Sequence, residues 1–151
     1  DQVTLVPERR EEVTTEGGLD VVKHATRVER AVSALREAGI RTSLFIGPDE
    51  AAVRMSREVG ADAIELHTGD FANHPGDPAP LGALREAATL AAELELAVHA
   101  GHGLTARNLG PVAQIPEIEE LNIGHSIISR AIFIGLAAAV GEIRTAMDSV
   151  R

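Results

Sequence analysis

The fold of this sequence is decided by the stretch Leu96-Ala97-Val98-His99-Ala100-Gly101-His102-Gly103, a short apolar run that ends in glycines and histidines. Such a run followed by Gly-His-Gly predicts a buried strand that opens into a tight turn, where glycine permits a positive φ and the close approach of a ligand. Further along, the segment Leu121-Asn122-Ile123-Gly124-His125-Ser126 repeats this design. A strand that ends in Gly-His just before a helix start predicts a reactive group beside an anion-binding helix terminus.

Outward from this stretch, segments with strand character alternate with segments whose apolar residues have helical spacing. The predicted strands are 2–8, 41–48, 61–69, the central stretch and 118–123. The predicted helices are 21–38, a helix capped by Asp49 that runs to Val59, 81–94, and 126–147 with a bend at Gly135. The segments 8–20, 70–80 and 104–116 are predicted loops, because they are polar or rich in proline and glycine.

Five strand–helix units in series predict an α/β fold with a parallel sheet in a single domain, residues 1–151. Two arrangements of this sheet are compatible with the sequence. An open, doubly wound sheet fits the length, whereas a complete (β/α)₈ barrel needs about 250 residues. The abrupt strand at the start of the sequence favours a barrel that has been cut. Periodicity alone does not decide between them.

Composition excludes several classes of protein. Cysteine is absent, which removes disulfides, thiolate metal sites and cysteine nucleophiles, and fits a reducing cytosol. A net charge of −9 and an aromatic content of 2% argue against a nucleic-acid-binding surface. The first residues form no signal peptide and lack an initiating Met. We therefore expect that Asp1 is not the natural start of the protein.

Polar residues that could carry chemistry cluster where the predicted strands end, which is where both arrangements place ligands. Glu65 lies inside an apolar strand, so its carboxyl group must be ion-paired, hydrogen-bonded or protonated, and a buried carboxyl group suits proton transfer or charge stabilisation as well as a structural ion pair. His102 lies between two glycines and could be a general acid or base, or an ordinary loop histidine. Gly124-His125-Ser126 could bind a phosphate. The whole set is Glu8, Thr14, Thr15, Gly47, Glu65, His67, His102, Gly103, Gly124 and His125.

A metal site is the less favoured interpretation of the histidines. His67, His99, His102 and His125 could converge as ligands at strand ends. Strand alternation, however, places His99 and His102 on opposite faces unless the glycine turn redirects one of them. No aspartate completes the set, so we predict no metal.

Longer motifs resemble one enzyme family. They are QVTLVPERREEVTTEGGLD (2–20), TSLFIGPD (42–49), GADAIELHTG (60–69), AGHGL (100–104) and EELNIGHSIISRAIFIG (119–135). Together they are similar to pyridoxine 5'-phosphate synthase of the deoxyxylulose-phosphate-dependent vitamin B6 route. The resemblance implies a cytoplasmic, homo-octameric TIM barrel without metal or organic cofactor. It implies the condensation of 3-amino-2-oxopropyl phosphate with 1-deoxy-D-xylulose 5-phosphate to pyridoxine 5'-phosphate, phosphate and water.

The same resemblance implies a role for individual residues. His102 corresponds to the catalytic proton donor and Glu65 to a glutamate that stabilises the transition state. Thr14 and Gly103 correspond to substrate contacts, and Gly124-His125 to the site of the aminoketone phosphate. The motif around Gly47 departs from the family, which has Asp there.

The family's chain is longer at its amino end, so the resemblance implies that this sequence corresponds to barrel strands four to eight. We therefore expect it to be inactive alone. The alternative is a non-catalytic, phosphate-binding half-barrel that acts through self-association or with a separate partner fragment.

Overall fold

The computed structural model describes residues 1–7 and 17–150. The elements in chain order are β1 (Gln2–Leu5), α1 (Ala25–Glu37), β2 (Arg41–Ile46), α2 (Glu50–Glu58), β3 (Ala63–His67), α3 (Gly69–Asn73), α4 (Pro78–Glu93), β4 (Ala97–Gly101), α5 (Gly110–Ala113), β5 (Ile118–Asn122), α6 (His125–Ile134) and α7 (Leu136–Asp148). The predicted alternation of strands and helices is confirmed.

The five strands form one parallel sheet in the order β1-β2-β3-β4-β5. Each strand therefore lies beside the strand that precedes it in the chain. A doubly wound sheet reverses its strand order at a switch point, which this sheet does not do. Sequential parallel order is instead the arrangement of successive units in a (β/α)₈ barrel, so the doubly wound alternative is wrong.

The helices cover one face of the sheet. Leu44, Ile64, Leu66 and Val98 alternate with the residues of the other face and join the helix residues in one buried apolar cluster. The opposite face carries Ser43, Phe45, Glu65, His67, His99, Gly101, Glu120 and Asn122. Packing therefore uses one face of each strand and leaves the polar residues on the other.

Two predicted loops contain helices. The segment 70–80 includes most of α3 and the start of α4, where we expected no regular structure. Pro78 is the first residue of α4, a position that needs no backbone N–H, and the Asp77 carboxylate caps the helix by accepting from the Ala79 amide at 2.9 Å. The segment 104–116 includes the single turn α5.

The last predicted helix is two helices. Gly135 has a φ of +83° and ends α6 before α7 begins, so the expected bend is a complete break. Large apolar side chains are exposed along this pair and form what we call the α6–α7 stripe: Ile128, Ile132, Phe133, Leu136 and Val140. Within residues 1–7 and 17–150, no helix is long and apolar enough to span a membrane.

The packing of the helices on one face predicts where truncation of a side chain destabilises the fold. Ile64 on the central strand is 0% exposed, so we expect Ile64→Ala to lower the free energy of unfolding by about 2–5 kcal/mol. Val22→Ala, at a 48% exposed position outside the α6–α7 stripe, is the control and should change it by about 0.5 kcal/mol or less. Urea unfolding measures both values, and equal losses at the two sites would contradict the assignment of the core.

Candidate active site

A cavity of about 650 Å³ opens where the strands end. It is bounded by β2, β3, β5, the turn after β4 and the start of α6. Glu65, His102, Gly103, Gly124 and His125 line it, so five of the residues that the resemblance implied for the site lie together. The sixth, Thr14, lies outside the described residues, as do Glu8 and Thr15.

The carboxyl group of Glu65 crosses over β4 to reach β5. A side chain at Gly101 would place its Cβ 2.6 Å from Glu65 Oε1, so only glycine leaves room for this path. On β5, the side chain of Asn122 hydrogen-bonds the carboxyl group. No arginine or lysine of the described residues forms an ion pair with Glu65, so the structural ion pair considered above is absent there.

Burial makes Glu65 a weaker acid than a solvated glutamate. Desolvation raises the pKa of its carboxyl group, the hydrogen bond from Asn122 opposes the rise, and the negative charge of Glu120 adds to it. A raised pKa brings the carboxyl group closer to neutral pH, where it can exchange a proton with a bound substrate.

The turn after β4 redirects His102 into the cavity. Strand alternation would place His102 on the helix-covered face with Val98 and Ala100. Its φ is +87°, which turns the side chain to the other face, where its ring lies 4.7 Å from the ring of His67. The glycine turn thus redirects His102, so that His102 and His99 do not lie on opposite faces of the sheet.

His67 lies behind His102, in surroundings that favour its uncharged ring. Burial lowers its pKa first, and the neighbouring His102 lowers it further, while Asp70 opposes both effects. The His67 ring also meets Phe45 edge-on, with ring centroids 5.2 Å apart. Within the described part of the chain, no three histidine, aspartate or glutamate side chains are placed to hold a metal ion.

The start of α6 forms the far wall of the cavity. Gly124 is the N-cap residue and His125 the first helical residue, and no side chain caps the helix. The first backbone N–H groups of a helix lack partners within the helix and attract anions. The Ser126 hydroxyl donates to the Leu104 carbonyl at 2.7 Å and ties this helix start to the turn that carries His102. The arrangement suits a phosphate group.

Several residues that shape the site were not found from the sequence. Asn122 and Gly101 position Glu65, and Thr68 holds the turn after β4. A polar residue at the end of a buried strand was the available signal for Thr68 and Asn122. Gly47, which was on the predicted list, does not line the cavity.

Comparison with known proteins identifies the family. A family model described as "Pyridoxal phosphate biosynthesis protein PdxJ" matches residues 1–149. Three similar proteins are named pyridoxine 5'-phosphate synthase. That of Synechocystis sp. is 55% identical over 150 residues, 97% of this chain and 62% of its own. That of Desulfatibacillum aliphaticivorans is 52% identical over 141 residues, which are 93% of this chain and 60% of the relative. That of Legionella pneumophila is 49% identical over an alignment of 154 residues, which covers 100% of this chain and 62% of the relative.

Solved structures of low sequence identity share the fold. The Amycolatopsis orientalis BexX/CysO complex matches with a TM-score of 0.56 and 19% identity, over 82% of this chain and 48% of the other. The YdjI aldolase from Escherichia coli K12 matches with a TM-score of 0.54 and 15% identity, over 87% of this chain and 52% of the aldolase chain.

The sequence comparisons agree with one another in two respects. The match extends over nearly the whole chain. The chain nevertheless spans only about three fifths of the length of the curated relatives, since it covers 60% of one and 62% of the other two. On this evidence, the chain belongs to the PdxJ family of pyridoxal phosphate biosynthesis proteins.

Proposed function

We propose that this chain is the carboxyl-terminal part of a pyridoxine 5'-phosphate synthase, with β1 to β5 as strands four to eight of a (β/α)₈ barrel. Two observations support this assignment. The strands follow one another in sequential parallel order, as they do in such a barrel. The relatives that bear this name are longer than the chain, which covers 62% of one of them.

The proposed reaction is the condensation of 3-amino-2-oxopropyl phosphate with 1-deoxy-D-xylulose 5-phosphate, which gives pyridoxine 5'-phosphate, phosphate and water. The observation that carries this proposal is the convergence of Glu65, His102 and the start of α6 on one cavity. Both substrates are phosphate esters, and both need proton transfers at carbon and oxygen. An amide-rich helix start beside two proton-carrying side chains meets these needs.

In this mechanism the amine of one substrate condenses with the carbonyl of the other to a Schiff base, with loss of water. Elimination of phosphate, ring closure and the net loss of a second water follow. His102 donates a proton to a leaving oxygen, and Glu65 stabilises the positive charge that develops on the substrate. The start of α6 at Gly124 and His125 holds the aminoketone phosphate. Gly103 and Thr14 contact substrate, and neither a metal nor an organic cofactor takes part.

The complete protein is proposed to be a cytoplasmic homo-octamer. The α6–α7 stripe supports an assembled state, because apolar side chains this exposed are typical of surfaces that pack against other protein.

The alternative function is that of a phosphate-binding half-barrel, which would bind substrates, alone or with a partner fragment, without converting them. A metal hydrolase would instead carry zinc or manganese in stoichiometric amount.

Binding of inorganic phosphate tests the anion site at α6. We expect Gly124→Asp to weaken phosphate binding by about tenfold, because the new carboxylate caps the helix and repels the anion. A Cβ at Gly124 has no heavy atom within 4 Å, so the substitution fits. Gly141→Asp adds the same charge at an open position in α7 and should leave binding unchanged. Calorimetric titration measures both, and unaltered binding in Gly124→Asp would place the phosphate elsewhere.

Turnover by the purified chain tests the proposal that further strands are needed. We expect no pyridoxine 5'-phosphate when both substrates are supplied to this chain alone, although each substrate still binds. Scattering gives the size of the particle in the same solution. Measurable turnover would show that the described cavity is sufficient, whereas binding that never yields product even with the amino-terminal strands added would favour the half-barrel.

The raised pKa of Glu65 predicts how stability depends on pH. A carboxyl group whose folded pKa is raised contributes its stability below the unfolded pKa and loses it as the pH rises through the folded pKa. We therefore expect Glu65→Gln to raise Tm by a few degrees at about pH 8 and to leave it nearly unchanged at about pH 4. Glu93→Gln, at an exposed position of α4, is the matched control. An equal effect at both pH values would contradict the raised pKa.

A further inference from the structure

His102 is held in a backbone conformation that residues other than glycine rarely adopt. Its φ of +87° lies in the left-handed region, where a side chain with a Cβ is strained. Such a conformation persists only where neighbouring groups hold it. The direction of the His102 imidazole therefore depends on whatever fixes the turn 101–103.

The carbonyl groups of this turn are held by side chains from elsewhere. The Thr68 amide and the Thr68 hydroxyl both donate to the Gly101 carbonyl at 2.8 Å, and the His102 carbonyl also lies within reach of that hydroxyl. The Asn108 side-chain amide donates to the Gly103 carbonyl at 3.2 Å. Three consecutive carbonyls are thus engaged, and Thr68 serves two of them.

Thr68 is placed to do this because it directly follows β3, beside the turn. It is 0% exposed, so no water competes with its hydroxyl for the two carbonyls. A buried hydroxyl needs partners, and here the turn supplies them. The interaction therefore fixes the turn and satisfies Thr68 together.

The next residue, Gly69, confines the two imidazole rings. A Cβ at Gly69 would lie 2.5 Å from His67 Cε1 and 3.2 Å from His102 Cδ2. Residues 67–69 thus supply a ring neighbour for His102, a clamp on its carbonyl and a close wall beside its ring. These contacts act on the same side chain from one short segment.

We propose that Thr68 is a positioning residue, whose buried hydroxyl shares its one proton between the carbonyls of Gly101 and His102 and so directs the His102 imidazole into the cavity. The proposal rests on the proposed function, in which that imidazole donates a proton. It assigns the hydroxyl, rather than the bulk of the side chain, as the group that matters.

The test compares Thr68→Val, which keeps the shape and the amide but removes the hydroxyl, with Thr68→Ser, which keeps the hydroxyl. We expect the nuclear Overhauser contact between the His67 and His102 ring protons to fall below detection in Thr68→Val and to persist in Thr68→Ser. Thr89→Val, at an exposed position of α4, is the matched control and should leave the contact unchanged. The amide spectrum away from the turn shows whether each variant is folded.

A ring contact that persists in folded Thr68→Val would overturn the proposal. Should Thr68→Val not fold, the hydroxyl proton of Thr68 in the unaltered chain decides, because a clamped proton exchanges slowly with water and a free one exchanges rapidly. Neither readout requires turnover. Loss of the ring contact in a chain that binds no phosphate would therefore support the clamp while contradicting the proposed function.

Discussion

Packing of the helices against a single face of the sheet is the constraint on which the rest of the structure depends. Sequential parallel strands bring the crossover helices α1, α2 and α4 to the same side, and Leu44, Ile64, Leu66 and Val98 are buried there. The residues between them must then face away from the helices. The chain can therefore place a carboxyl group and imidazoles on the second face without disturbing its apolar core.

The proposed site binds anions in a chain that is acidic as a whole. A net charge of −9 would repel phosphate esters at long range. Backbone N–H groups at the start of α6 provide partial positive charge at short range, where it is screened least. Burial raises the pKa of Glu65, which favours its uncharged form, and lowers the pKa of His67, which favours the ring without a positive charge, so the attraction for an anion comes from the backbone.

Much of this site was predictable from the sequence, because its residues lie within apolar strands or directly after them. Glu65, Gly103 and Gly124-His125 were found in this way, and the structure places them on one cavity. The strand order was not predictable, since periodicity is the same in a doubly wound sheet and in a barrel. The sign of φ at His102 depends on contacts with Thr68, which is distant in sequence. A helix that starts at Pro78 was missed, because proline also marks loops.

The outer edge of β5 is where the proposed barrel bears on the chemistry. Glu120 and Asn122 lie on this strand, are exposed, and act on Glu65 in opposite directions, one by its charge and the other by a hydrogen bond. In the proposed barrel a further strand pairs with β5 and removes water from this side of the cavity. Desolvation is already the main cause of the raised pKa of Glu65, so closure raises it further unless the added strand brings a positive charge. The proton affinity of Glu65 is therefore a property of the closed barrel, for which the described strands supply only part of the environment.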